Sequence, residues 1–134
     1  MDLAQEFYAL FKGSDIAHGT YEVKSNRASD GKKQGIAKVI KEPTTVEMWE
    51  EHLSGGVGIG IIPIKSDNMC QWGAIDIDQY DVSHKKLIEV LTENKIPAVV
   101  GRTKSGGAHV WMFLSEPIEA EEMQRRVTEL SAAL

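Results

Sequence analysis

Apolar positions along the chain follow two different periods, and each period predicts one kind of element. A spacing of three or four residues predicts amphipathic helices. By this criterion helices are expected at residues 3–11, 45–53, 82–94 and 118–133. Alternating or continuously apolar runs predict strands. Strands are therefore expected at residues 20–24, 36–40, 57–64, 70–78, 98–100 and 109–114.

The order of these elements and the turns between them predict an α+β fold. Residues 25–31, between the first two strands, are rich in turn formers and end in an Asp-Gly pair, which predicts a hairpin. A second turn, at residues 66–68, joins the strands at 57–64 and 70–78. We expect those two strands to pair with each other in antiparallel fashion.

The length and composition are typical of one globular domain. The 134 residues are expected to form a single domain, with an N-terminal part at 1–56 and a second part at 57–134. No run of about 18 apolar residues is present, so we expect no membrane span. The acidic N-terminus lacks the pattern of a signal peptide, and the single cysteine, Cys70, cannot form an internal disulfide. Both features favour a cytoplasmic location.

Charge is distributed unevenly along the chain. The net charge of −5 provides no global attraction to nucleic acid. Between residues 24 and 41, however, one aspartate stands against six basic residues, namely Lys24, Arg27, Lys32, Lys33, Lys38 and Lys41. One interpretation is a solvated loop. The other is a phosphate-contacting patch, with Lys24, Arg27, Lys32 and Lys33 as its candidate nucleic-acid ligands.

Asp76 and Asp78 alternate with Ile75 and Ile77 along a predicted strand. Since side chains on a strand alternate between faces, both aspartates are expected on one face, with Cα atoms roughly 6.5 Å apart. Such carboxylates repel each other unless a cation lies between them, and Mg²⁺ and Mn²⁺ prefer oxygen ligands. The pattern thus indicates a metal site. The alternative is a pair of solvated carboxylates, because Asp-x-Asp is a short pattern. Asp81 is expected to cap the following helix.

A second polar segment lies between the last two predicted strands. It contains Arg102, Lys104, Ser105, Gly106 and Gly107, and His109 follows at the start of the next strand. A Ser-Gly-Gly turn exposes backbone N–H groups that can form an anion-binding nest. The two basic side chains and the hydroxyl add further groups that suit a triphosphate. The alternative is a plain hairpin with an exposed basic turn.

The two motifs occur in a strand–helix–strand–strand–helix order that resembles the catalytic core of the archaeo-eukaryotic primase superfamily. The closest resemblance is to phage and plasmid primase-polymerases and to the primase domain of TOTE-type conflict systems. Further segments that resemble this family are His18-Gly19-Thr20-Tyr21, Gly58-x-Gly60-x-x-Pro63 and Trp72-Gly73. The resemblance implies an RRM-like antiparallel or mixed sheet with helices on one face, plus an N-terminal helix and hairpin. It also implies a bacterial, phage or plasmid origin.

The resemblance implies a role for each motif. Asp76 and Asp78 would hold Mg²⁺ or Mn²⁺ and would act with His109 as catalytic residues in two-metal nucleotidyl transfer. The triphosphate would be bound by His109 together with Arg102, Lys104, Ser105, Gly106 and Gly107. The implied function is primer synthesis or extension from nucleoside triphosphates on a single-stranded DNA template. The implied partners are a helicase or the C-terminal remainder of a polymerase.

One part of the family pattern has no counterpart in this chain. The family carries a third carboxylate, motif III, on a strand beyond the helix that follows motif II. The chain is then a fragment of a longer polymerase, a polypeptide completed by another one, or a short form that binds without catalysing. The alternative function is a non-catalytic module that binds single strands through Trp72, Trp111 or Phe113. A nucleotide-sugar transferase also uses Asp-x-Asp, but such domains are usually much longer.

Overall fold

Four helices and two three-stranded sheets make up the computed structural model, which describes residues 2–27, 33–79 and 81–134. All strand pairings in both sheets are antiparallel. The predicted α+β class is thus confirmed. The contacts divide the chain into two units, Met1–Asn68 and Met69–Leu134. Within the described ranges, no helix combines the length and the apolar character that crossing a membrane requires.

The first unit contains two helices and one sheet. Its elements are α1 (Leu3–Leu10), β1 (His18–Arg27), β2 (Lys33–Ile40), α2 (Val46–Leu53) and β3 (Gly58–Gly60), with strand order β2-β1-β3. The predicted hairpin is confirmed, with His18 paired to Ile40 at its base. The rings of Phe7 and Phe11 stack on Trp49, with centroid distances of 5.5 and 5.8 Å. These aromatic contacts join α1 to α2.

The second unit has the predicted order strand–helix–strand–strand–helix. Its elements are β4 (Met69–Ile77), α3 (His84–Glu93), β5 (Ala98–Arg102), β6 (Ala108–Glu119) and α4 (Ala120–Ala133), with strand order β4-β6-β5. Val110 of the central strand is fully buried and packs with Leu91 of α3 and Leu130 of α4. Both helices therefore lie on the same face of this sheet, the face that Val110 occupies.

The predicted pairing between residues 57–64 and the aspartate strand is wrong. β3 is short and pairs with β1, where Gly60 lies opposite Gly19. A Cβ atom on Gly19 would be 3.5 Å from the Cα atom of Gly60, which is an ordinary van der Waals distance. After Gly60 the chain leaves the sheet, and the Ile62 carbonyl accepts a hydrogen bond of 2.7 Å from the amide of Ser14. β4 pairs with β6 instead.

Two element ends also differ from the predictions. Pro117 lies within β6 and not directly before the last helix. The register of β4 against β6 shifts, which leaves Pro117 outside the regular ladder, where its missing N–H has no consequence. Ser83, rather than Asp81, caps α3, because its side chain accepts a hydrogen bond of 3.3 Å from the amide of Lys86.

Candidate functional site

Asp76 and His109 lie directly opposite each other on neighbouring strands. They are paired residues of β4 and β6, and Nε2 of His109 is 3.5 Å from Oδ1 of Asp76. Both side chains are accessible, with exposed fractions of 70% for Asp76 and 42% for His109. The alternation of side chains sends Ile75 and Ile77 into the core, so Asp76 points to the other face. The structure thus joins one residue from each predicted motif.

Asp78 lies just beyond the end of β4, which stops at Ile77. Its side chain is exposed, like that of Asp76. The sheet does not extend to Asp78, so strand alternation alone does not place its carboxylate beside that of Asp76. In residues 2–27, 33–79 and 81–134, no three His, Cys, Asp or Glu side chains are grouped so that they could hold a metal ion. The structure therefore brings together Asp76 and His109, and the exposed carboxylate of Asp78 lies beyond the end of β4.

The turn between β5 and β6 is closed by backbone hydrogen bonds around a glycine. The Thr103 amide donates to the Gly107 carbonyl at 3.2 Å, and the Gly106 amide donates to the Thr103 carbonyl at 3.1 Å. Gly106 has a φ of 90°, in the left-handed region that favours glycine. Its amide is therefore used within the turn. The exposed groups on the turn's outer surface include the side chains of Lys104 and Ser105.

Gly107 anchors this turn to both neighbouring segments of the unit. A Cβ atom on Gly107 would collide with the carbonyl oxygen of Ile77, the residue before Asp78. The carbonyl oxygen of Gly107 also accepts a hydrogen bond of 2.8 Å from Nε2 of His84, the first residue of α3. The end of β4, the start of α3 and the turn are thereby held together.

His109 is held between a carboxylate and an aromatic ring. The centroids of His109 and Trp111 are 5.4 Å apart in an edge-to-face arrangement. On its other side His109 is paired with Gly101 of β5. A Cβ atom on Gly101 would be 2.5 Å from the Trp111 ring, so the ring lies over this glycine. The small residue at position 101 thus makes room for the ring that flanks His109.

The predicted metal and nucleotide ligands collect at one edge of the second sheet. This edge contains the end of β4, the end of β5 and the start of β6. The residues concerned are Asp76, Asp78, Arg102, Lys104, Ser105, Gly106, Gly107 and His109. The candidate nucleic-acid ligands belong to the β1–β2 hairpin of the first unit. Lys32 lies outside the described residues, as do the side chains of Lys24, Arg27 and Lys33.

Two residues of this edge carry no sequence signal that singles them out. In the sequence, His84 is simply the first helical residue after a capping serine, and Gly101 is a small residue in an apolar strand. His84 bonds to the Gly107 carbonyl, and Gly101 lies under the Trp111 ring. Both contacts arise only when β5, β6 and α3 come together in the folded unit.

A comparison with protein families matches residues 7–133 to the family described as the TOTE conflict system, Archaeo-Eukaryotic Primase domain. The match includes both motifs and every described element from β1 onwards. A comparison with curated proteins found no match.

Proposed function

The chain belongs to the archaeo-eukaryotic primase domain family of TOTE conflict systems, and from this membership we propose that it is the nucleotide-binding part of a primase-polymerase core. The superfamily is one of primase-like nucleotidyltransferases. The observation that carries the proposal is the pairing of Asp76 with His109 across β4 and β6. It unites the acidic motif and the histidine motif at one accessible edge of the sheet.

Asp76 and Asp78 are the residues that would hold Mg²⁺ or Mn²⁺. Their oxygen ligands match the preference of these ions, and Mg²⁺ is commonly bound by one or two carboxylates together with substrate phosphates. Two exposed carboxylates fit that pattern without a third protein ligand. When bound, such an ion neutralises charge on the triphosphate during phosphoryl transfer.

The groups next to these carboxylates would bind the triphosphate. His109 lies beside Asp76 and can donate a hydrogen bond from a ring N–H to a phosphate oxygen. Arg102, Lys104 and Ser105 are exposed at the same edge and add two cationic groups and one hydroxyl. Nucleotide binding is the step of template-directed synthesis that these residues would carry out.

The test is a calorimetric titration of the chain with a nucleoside triphosphate in the presence of Mn²⁺. Asp76→Ala and His109→Ala are each expected to weaken binding at least tenfold, because each removes a ligand of the site. Asp67→Ala, an exposed aspartate of the first unit, is the matched control and should bind like the parent. Equal binding by all three variants would contradict the site assignment. Absence of binding by a folded parent chain would contradict nucleotide binding itself.

A second candidate function is a non-catalytic module that binds single-stranded nucleic acid. The observation that favours it is the His109–Trp111 pair, which lies on the sheet face opposite the one that α3 and α4 cover. Aromatic rings on such a face can stack on unpaired bases. This function predicts metal-independent, salt-sensitive binding of single strands that Trp111→Ala weakens. Neutralising Lys32 and Lys33 should flatten the salt dependence, and an unchanged slope would count against it.

A further inference from the structure

The first unit contains a cavity of about 320 Å³ on one face of its sheet. His18, Thr20 and Glu22 of β1 share this face with the paired residues of β2, and α2 lies beside it. The lining residues are His18, Thr20, Glu22, Ile36, Lys38, Ile40, Met48, Glu51, Val57 and Ile59. Small-molecule sites commonly have volumes of roughly 300–1,000 Å³, so the cavity is large enough for one small ligand.

His18 gives this cavity a polar side chain with a defined chemistry. The residue is 2% exposed, and its Nδ1 lies 2.6 Å from the carbonyl oxygen of Glu42. A carbonyl oxygen can only accept, so Nδ1 carries the hydrogen, and Nε2 of the neutral ring is an acceptor. The recorded hydrogen bond of His18 is made by Nδ1, and the residue lines the cavity, so Nε2 is available to accept a hydrogen bond from a ligand bound there.

The other walls define the shape and polarity of such a ligand. Ile40, Met48 and Ile59 provide apolar surfaces suited to the faces of a flat ring. The carboxylates of Glu22 and Glu51 are further acceptors at the exposed rim. Apolar surfaces around the faces of a ring and hydrogen bonds to its edge are the means by which proteins hold an unstacked base.

We propose that this cavity is a binding pocket for one unpaired nucleobase that carries an exocyclic amine, namely adenine, cytosine or guanine. The amine donates to Nε2 of His18 and to a rim carboxylate, while the ring lies among the isoleucine and methionine side chains. Uracil and thymine lack this amine and therefore bind more weakly. The pocket lies entirely in the first unit and requires neither a triphosphate nor a metal ion. It can therefore exist whether or not the proposed nucleotide site does.

The test uses adenosine, cytidine, guanosine and uridine, each titrated into the complete chain in the presence of EDTA. Binding is followed by NMR chemical shifts and by equilibrium dialysis. At least one of the three amine-bearing nucleosides is expected to bind at least tenfold more tightly than uridine, with the shifts centred on β1, β2 and α2. The proposal would be wrong if none of the four nucleosides bound, or if all four bound equally tightly.

Two pairs of variants locate the binding. His18→Ala removes the acceptor, but loss of a buried side chain can unfold the unit. A second variant, Ile36→Trp, therefore tests the same cavity by filling it from β2. Val39→Trp is the matched control, because Val39 is on the same strand, on the opposite face and 72% exposed. Ile36→Trp should abolish nucleoside binding and Val39→Trp should preserve it; the reverse would refute the location. Asp76→Ala should leave nucleoside binding unchanged, and its loss would assign the binding to the second unit.

Discussion

His84 and Gly107 are joined by a hydrogen bond of 2.8 Å from Nε2 of the imidazole to the backbone carbonyl. The bond connects the start of α3 to the turn that carries Ser105. Because a carbonyl oxygen only accepts, Nε2 of His84 is the donor. His84 thus acts on the turn as a positioning residue.

His84→Ala is expected to loosen the turn without removing any exposed phosphate ligand. A hydrogen bond contributes about 0.5–1.5 kcal/mol, so affinity for a nucleoside triphosphate should fall about two- to tenfold. Hydrogen exchange of the Thr103 amide, which bonds to the same carbonyl, should become faster. The measurements are calorimetry and exchange followed by NMR.

The control for this variant is His52→Ala, which removes a similar bond from Nδ1 of His52 to the Val57 carbonyl, in the first unit. It should leave the exchange of the Thr103 amide unchanged. If His84→Ala also leaves it unchanged, the positioning role is wrong, whatever the outcome for nucleotide binding.

Gly107→Ala is expected to destabilise the second unit. The added methyl group would collide with the carbonyl oxygen of Ile77, which is backbone and cannot rotate away. Overpacking of this kind costs roughly 1–3 kcal/mol. Gly19→Ala is the control, since its Cβ would make contacts of 3.5 Å or longer. The test is urea unfolding, followed at the NMR signals of Val110 for the second unit and of Thr20 for the first. Equal unfolding midpoints for Gly107→Ala and the parent would contradict the close approach of Gly107 to the Ile77 carbonyl.

Leu91→Ala is expected to cost about 2–5 kcal/mol in the free energy of unfolding of the second unit. Leu91 is 2% exposed and packs against Val110 and Leu130. Ile88→Ala is the matched control on the same helix, because Ile88 is 51% exposed and should cost far less. Denaturant titration of both variants tests which face of α3 is buried. Similar losses from the two substitutions would show that this face is assigned wrongly.

Glu122 should make the stability of the fold depend on pH in the acidic range. Hydrogen bonds from Arg125 and Arg126, with the charges of the two guanidinium groups, lower its pKa from the ordinary 4.5 to about 2. A carboxylate with a lowered folded-state pKa stabilises the fold above its unfolded pKa. That contribution is lost as pH falls from about 4.5 toward 2. The pair is solvent-exposed, so the effect is expected to be small.

Thermal melts of Glu122→Gln and the parent between pH 7 and pH 2 test this dependence. The variant should be slightly less stable than the parent at pH 7 and equally stable near pH 2. Glu89→Gln is the control, since Glu89 has no ion pair among the described side chains. A constant difference between Glu122→Gln and the parent over this range would contradict the linkage.

The sequence was sufficient to predict the helices, most strands and the two chemical motifs. Periodicity is a local property, so the apolar spacing of Leu87, Val90 and Leu91 indicated α3 without knowledge of its neighbours. Alternation in the same way predicted that Ile75 and Ile77 lie on one face and Asp76 and Asp78 on the other. The structure packs the isoleucines on the core, and β4 ends before Asp78. The resemblance to the primase family rested on these motifs in their order, and the family match agrees with it.

Strand pairing and the contacts around His109 were decided only by the tertiary structure. β3 pairs with β1 so that Gly60 lies opposite Gly19, and the separation of these two residues along the chain hides that relationship. The hydrogen bond from His84 is accepted by the backbone carbonyl of Gly107. Every residue has such a carbonyl, so the sequence does not show which one the imidazole will bond to. Local patterns determine which face of a strand is buried, whereas the register between distant strands determines which residues meet.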